Sequence, residues 1–106
     1  MNANSHVDVL VIGAGPAGSA AAGAAARQGA SVLMVERKSS IGAPVQCAEY
    51  IPALLLGKLD AGHSFAVQAV KGMKTYVPGA PEKITRAPGY IIHRERFDKA
   101  LARKAQ

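Results

Sequence analysis

One stretch constrains this chain more than any other: Val7 to Glu36, VDVLVIGAGPAGSAAAGAAARQGASVLMVE. Val9-Leu10-Val11-Ile12 is a short, β-branched apolar run of the kind found in a strand buried on both faces. Gly13-Ala14-Gly15-Pro16-Ala17-Gly18 follows at once, and the small residues after it predict a helix as far as Gln28. Gly29 stops that helix, and Ser31 to Val35 form a second apolar strand closing on Glu36. Strand, glycine turn, helix, strand and acid, in that order, make a dinucleotide-binding fingerprint in the context it requires.

Each residue of the turn has a physical task. Gly13 lets the chain leave the strand sharply, and Gly15 has no β-carbon to block a pyrophosphate approaching the backbone. Gly18 lets the helix lie close on the sheet, with Ala17, Ala21, Ala22, Ala25 and Ala26 keeping the contact thin. Pro16 suits the first helical turn, where its missing N–H costs nothing. The free amides there and the helix dipole then face a diphosphate. Glu36 can accept both hydroxyl protons of an adenosine ribose, and its charge disfavours a ligand carrying a 2′-phosphate. An ordinary βαβ unit with a tight turn and no ligand is the bland alternative, and the agreement of every flanking element weighs against it.

The rest of the chain bounds the answer more loosely. Its 106 residues fit one small domain, and with no Trp the core must come from Val, Ile, Leu and Ala. The formal charge of +6 is spread without a long run. That pattern suits a solvated basic surface, attraction to a diphosphate, or an anionic membrane face. Nucleic-acid binding is not expected, because no basic stretch is interleaved with stacking aromatics. Cys47 is the sole cysteine, which excludes an internal disulfide and a thiolate-cluster metal site. No metal is expected, and His63 and His93 have no partner at ligand spacing. Val7 to Ala26 is apolar enough to imitate a membrane segment, but Asp8, four glycines and Pro16 argue against a spanning helix. The reading is a cytoplasmic chain, with peripheral membrane contact left open.

Met1 to His6 reads as a short polar leader, expected to be mobile. After Glu36, Arg37 to Ser40 is a polar loop, and Gly42 and Pro44 punctuate a turn. A helix is expected from Ala48 through Leu56, stopped by Gly57 or Gly62, with its start made uncertain by Pro52. Phe65 to Val70, Met73 to Val77, Glu82 to Arg86 and Tyr90 to His93 read as short strands, with turns at Pro78 to Pro81 and at Pro88-Gly89. Phe97, Leu101 and Ala105, at spacing four, mark one face of a closing amphipathic helix. Tyr50 and Tyr76 read as packing residues. The expected fold class is α/β: a Rossmann-like βαβ unit followed by a small antiparallel β-meander and a helix. Two parallel strands make a poor sheet, so residues 1–106 are expected to be an incomplete domain, either a fragment or a piece completed by a second chain.

Three blocks carry a resemblance: DVLVIGAGPAGSAAA (Asp8 to Ala22), GAPVQCAE (Gly42 to Glu49) and GYIIHRERFDKAL (Gly89 to Leu101). Together they resemble the N-terminal portion of the geranylgeranyl reductase family of FAD-dependent oxidoreductases, within the wider group that has a glutathione-reductase-type FAD fold. The first block is common to many flavoproteins, and the second, with its Pro-Val-Gln-Cys stretch, is far more particular. The resemblance implies FAD as cofactor and reduction of carbon–carbon double bonds in polyprenyl chains, with an isoprenoid or other hydrophobic small molecule as substrate. The later Gly-Asp block and the substrate-cavity half of such proteins are not in these residues.

Residue by residue, the resemblance implies that Gly13, Gly15, Pro16, Ala17 and Gly18 hold the FAD pyrophosphate and Glu36 the adenosine ribose. Arg37 would lie near the adenine end, and Arg94 would reach back to the cofactor with a fixed positive charge. Gln46 and Cys47 match the loop that passes the isoalloxazine, where the thiol would line the cavity or donate a proton opposite hydride delivery. A small buried hydrophobe is the plainer reading of Cys47, and a surface cation that of Arg94. An aromatic hydroxylase or halogenase shares the first and third blocks but not Pro44-Val45-Gln46-Cys47. A non-catalytic nucleotide-binding piece completed by a partner, and a simple NAD-binding module, are the remaining alternatives.

Overall fold

The structure, a computed structural model, describes residues 6–59 and 61–106. In chain order the elements are β1 (Val9–Ile12), α1 (Pro16–Arg27), β2 (Val32–Val35), β3 (Tyr50–Pro52), α2 (Ala53–Lys58), β4 (Ala66–Thr75), β5 (Lys83–Ile92) and α3 (Arg94–Lys104). They fall into two compact units: residues up to Val45 with Glu95–Gln106, and Gln46–Arg94. Apart from His6, which is exposed, the expected leader lies outside the described residues.

In the first unit β1 and β2 are parallel, in register from Val9↔Val32 to Ile12↔Val35. Asp8 and Ser31 tie the open ends of the pair: the Asp8 carboxylate accepts from the Ser31 amide at 2.8 Å and from its hydroxyl at 2.7 Å. These bonds, the amide first, hold the Asp8 carboxyl below its ordinary pKa. Gly29 leaves α1 at φ +87° and donates its amide to Ala26, closing the helix as the sequence predicts.

Burial of β1 on both faces is not what the structure has. Val9 and Val11 are half-buried, Val11 against α1, whereas Leu10 is 55% and Ile12 82% exposed. With side chains alternating across a pair of strands, one helix covers one face and leaves the other open. The helix face also differs from the alanine set expected. Ser19, Ala22 and Gly23 are buried, while Ala17, Ala21 and Ala26 are exposed. The 3.6-residue period selects 18, 19, 22 and 23 once Gly18 is the contact point. In α3 the buried face comprises Phe97, Asp98 and Ala102, with Leu101 and Ala105 half-buried.

The second unit is a three-stranded antiparallel sheet in the order β3-β5-β4. A long β4–β5 hairpin carries it, and β3 adds to the far edge of β5 over Tyr50↔Ile91 to Pro52↔Gly89. Its core is Ile51, Leu56, Phe65 and Ile92, all buried. The expected helix begins only at Ala53, because Tyr50–Pro52 is extended and Pro52 sits as its N-cap with φ −62° and ψ 144°.

Pro88-Gly89 is not a turn. Both residues lie inside β5, where the register passes from Val70↔Gly89 to Gly72↔Arg86, so Ala87 and Pro88 together oppose Lys71. A proline is tolerated there because a bulge leaves its residue out of the ladder, and β3 pairs no further than Gly89. Gly89 is needed for closeness: a β-carbon would meet the Ile51 carbonyl oxygen and the Tyr50 ring. Tyr50 is only partly covered, lying across the strand with its hydroxyl donating to the Ala87 carbonyl at 3.1 Å. Tyr76 is exposed and hydrogen-bonded to Glu82, which raises its phenol pKa; neither tyrosine is a core residue.

Candidate functional site

The turn from β1 into α1 is built as its sequence requires. Gly13 has φ +102° and donates its amide to the Val35 carbonyl at 2.7 Å, so the first strand stays tied to the second as the chain reverses. Gly18 is set against the turn so tightly that a β-carbon would run into the Gly13 carbonyl oxygen and crowd the Val11 side chain at 3.3 Å. Pro16 opens α1 behind Gly15, whose extended backbone (φ −71°, ψ −179°) forms the N-cap. A β-carbon on Gly15 would touch nothing within 4 Å, so the approach to this backbone is open. Among the described residues, the amides of Gly15, Ala17 and Gly18 have no acceptor.

Glu36 completes this group. Its Oε2 accepts the Ala14 amide at 2.8 Å, inside the glycine turn, and its Oε1 accepts the Lys38 amide at 2.8 Å. The Lys38 amide, then that of Ala14, holds the carboxyl below its ordinary pKa, so the group is a fixed anion. Each oxygen keeps a lone pair for a further donor, as a vicinal diol would be. The Ser19 hydroxyl donates to the Ala14 carbonyl at 3.2 Å from a buried position. Sequence reading missed Ser19, since a serine early in a helix looks like a solvated residue until the turn's open carbonyl is seen. Arg37 follows Glu36 on the exposed loop.

Gln46, Cys47 and Arg94 belong to the second unit. Cys47 is exposed, which removes the reading of it as a buried hydrophobe. Its Sγ accepts the Glu49 amide at 3.3 Å, and that bond, followed by the Arg94 guanidinium, pulls the thiol pKa below its usual value. Arg94 is half-buried and thereby linked to Cys47, whereas Gln46 is exposed. The Glu49 carboxylate accepts the Arg94 amide at 3.0 Å. No group of three or more metal-ligating side chains occurs among the described residues. His63 is exposed and meets the Tyr90 ring edge-on at 6.4 Å.

A parallel strand pair, a glycine turn free of side chains and an acid anchored on that turn define a Rossmann-type dinucleotide-binding βαβ unit. The family model for FAD dependent oxidoreductases matches residues 8–44. Over 104 residues the chain is 41% identical to a digeranylgeranylglycerophospholipid reductase of Thermoplasma acidophilum, covering 90% of this chain and 26% of that protein. A digeranylgeranylglycerophospholipid reductase of Methanocaldococcus jannaschii is 41% identical over 106 residues, covering 96% of this chain and 27% of that protein. Among solved structures, a geranylgeranyl bacteriochlorophyll reductase-like protein of T. acidophilum superposes with a TM-score of 0.82 at 39% identity, covering 93% of this chain and 27% of that one. A flavin-dependent brominase superposes with a TM-score of 0.75 at 25% identity, covering 95% of this chain and 27% of that one. The likeness is to the N-terminal, FAD-binding portion of geranylgeranyl reductases. The chain spans about a quarter of the length of the curated relatives it matches.

Proposed function

We propose that residues 1–106 are the N-terminal part of an FAD-binding domain, and that the intact protein reduces carbon–carbon double bonds in polyprenyl chains carried on a lipid. The observation that supports FAD binding most directly is the open backbone at Gly15 beside an acid held on Ala14. The pyrophosphate would take the amides of Gly15, Ala17 and Gly18 together with the N-terminal dipole of α1. Glu36 would accept from the adenosine ribose, and Arg37 and Arg94 would add fixed positive charge. The isoprenoid substrate class is supported by relatives named for the reduction of digeranylgeranylglycerophospholipid.

When bound, FAD supplies a hydride for such a reduction. The residues of this chain would do the rest. Cys47, exposed and with its thiol pKa lowered by the Glu49 amide and Arg94, is the proposed proton donor at Sγ to the second carbon. Gln46 would border the same cavity. Likeness to a flavin-dependent brominase supports a second reading, a halogenase- or hydroxylase-type flavoprotein, which the Pro44-Val45-Gln46-Cys47 stretch disfavours.

The test is an FAD titration followed by flavin fluorescence, with turnover measured on a geranylgeranyl lipid. Gly15→Val fills the pyrophosphate approach and should abolish binding; an unchanged titration would remove the proposed cradle. Cys47→Ala should keep FAD bound and lose turnover by about 10²-fold or more, the usual scale of a general acid. Wild-type kinetics in that variant would end the proton-donor role.

A further inference from the structure

Glu49 has φ +56°, the only non-glycine residue with positive φ among the described residues. A glutamate in that region is held there by its surroundings, because its own preferences oppose it. Three bonds do the holding. The Ile92 amide donates to its carbonyl at 2.7 Å, the Arg94 amide donates to its Oε1 at 3.0 Å, and its own amide donates to Cys47 Sγ at 3.3 Å.

We propose that Glu49 is a positioning residue: it fastens the Cys47 sulfur and the Arg94 backbone to one rigid point at the end of β5. This rests on the reading of Cys47 and Arg94 as flavin-site residues. Carbonyl and carboxylate are both tied to the same short stretch, Ile92 to Arg94, which pins Glu49 on the C-terminal side of its Cα and at its side chain. With Glu49 pinned there at positive φ, the N–H of the preceding peptide is turned toward the sulfur, where a donor favours thiolate over thiol. The charged groups acting on that thiol are the Arg94 guanidinium, which lowers its pKa, and the Glu49 carboxylate, which raises it. The Glu49 side chain thus opposes the thiolate by its charge and supports it by its reach. Those two effects can be separated.

The separating pair is Glu49→Gln and Glu49→Asn, made in the intact protein with FAD bound. Both remove the charge, but only Gln keeps an acceptor long enough for the Arg94 amide. Asn tolerates the left-handed backbone, so the fold is expected to survive; Glu49→Asp, short but charged, serves if it does not. The readout is the pH profile of Cys47 alkylation by iodoacetamide, followed on the Cys47 peptide by mass spectrometry. Gln should match or exceed the wild-type rate at neutral pH. Asn, or Asp in its place, should shift the profile to higher pH and react about three- to tenfold more slowly. Short-chain and Gln profiles that coincide would overturn the proposal. Because sulfur reactivity is read without turnover, wild-type kinetics in Cys47→Ala would end the proton-donor reading and leave the Glu49 result standing.

Discussion

At Glu36 one carboxylate joins the glycine turn to the loop after β2, since the amides of Ala14 and Lys38 both donate to it. The consequence for pH can be signed. A carboxyl held below its ordinary value contributes stability that is fully present above the unfolded pKa of about 4.3 and is lost as pH falls through the lower folded value. Asp8, held down by Ser31, behaves the same way around its unfolded value of about 3.9. Thermal unfolding midpoints should therefore fall between about pH 5 and pH 3, and Glu36→Gln should flatten part of that fall. Equal slopes for variant and wild type would show that the two amides leave the Glu36 carboxylate indifferent. The same substitution should weaken FAD binding by about tenfold, the scale of one hydrogen bond to a charged acceptor.

At the scale of elements, the contact between β1 and α1 depends on what Gly18 lacks. A methyl group there points at the Gly13 carbonyl, which is backbone and cannot turn aside. Gly18→Ala should cost about 1–3 kcal/mol of stability, in the range of overpacking, measured by urea unfolding. This element was legible in the sequence because every local signal agreed: the β-branched run, the three spaced glycines, Gly29 as a stop and Glu36 as the distal acid. The second unit was less legible, for definite reasons. Pro88-Gly89 looks like a turn in any sequence, and only a bulge with a partner strand ending at Gly89 makes it strand. Tyr50–Pro52 is too short to show a period, so β3 could not be found from pattern alone. Glu49 could not be read as a clamp, since its role depends on a backbone angle that a glutamate does not advertise.

For the molecule as a whole, the open face of the β1–β2 pair is the main liability. Leu10, Ile12 and Val35 are all exposed, and an apolar sheet face of that kind is ordinarily covered by a second layer. A polypeptide of these 106 residues should bind the dye ANS, and Leu10→Thr with Ile12→Thr should reduce that fluorescence without changing far-ultraviolet circular dichroism. Undiminished dye binding would place the apolar surface elsewhere. No helix among the described residues is long and apolar enough to cross a membrane. The bulge at Pro88 has an effect of its own. Beyond it the hairpin continues as a two-stranded ribbon carrying Lys74, Lys83 and Arg86, with Lys74 paired to Glu82 at 3.3 Å. The kink and the missing amide at Pro88 break the run of donors along that edge, which hinders a foreign strand from pairing with it.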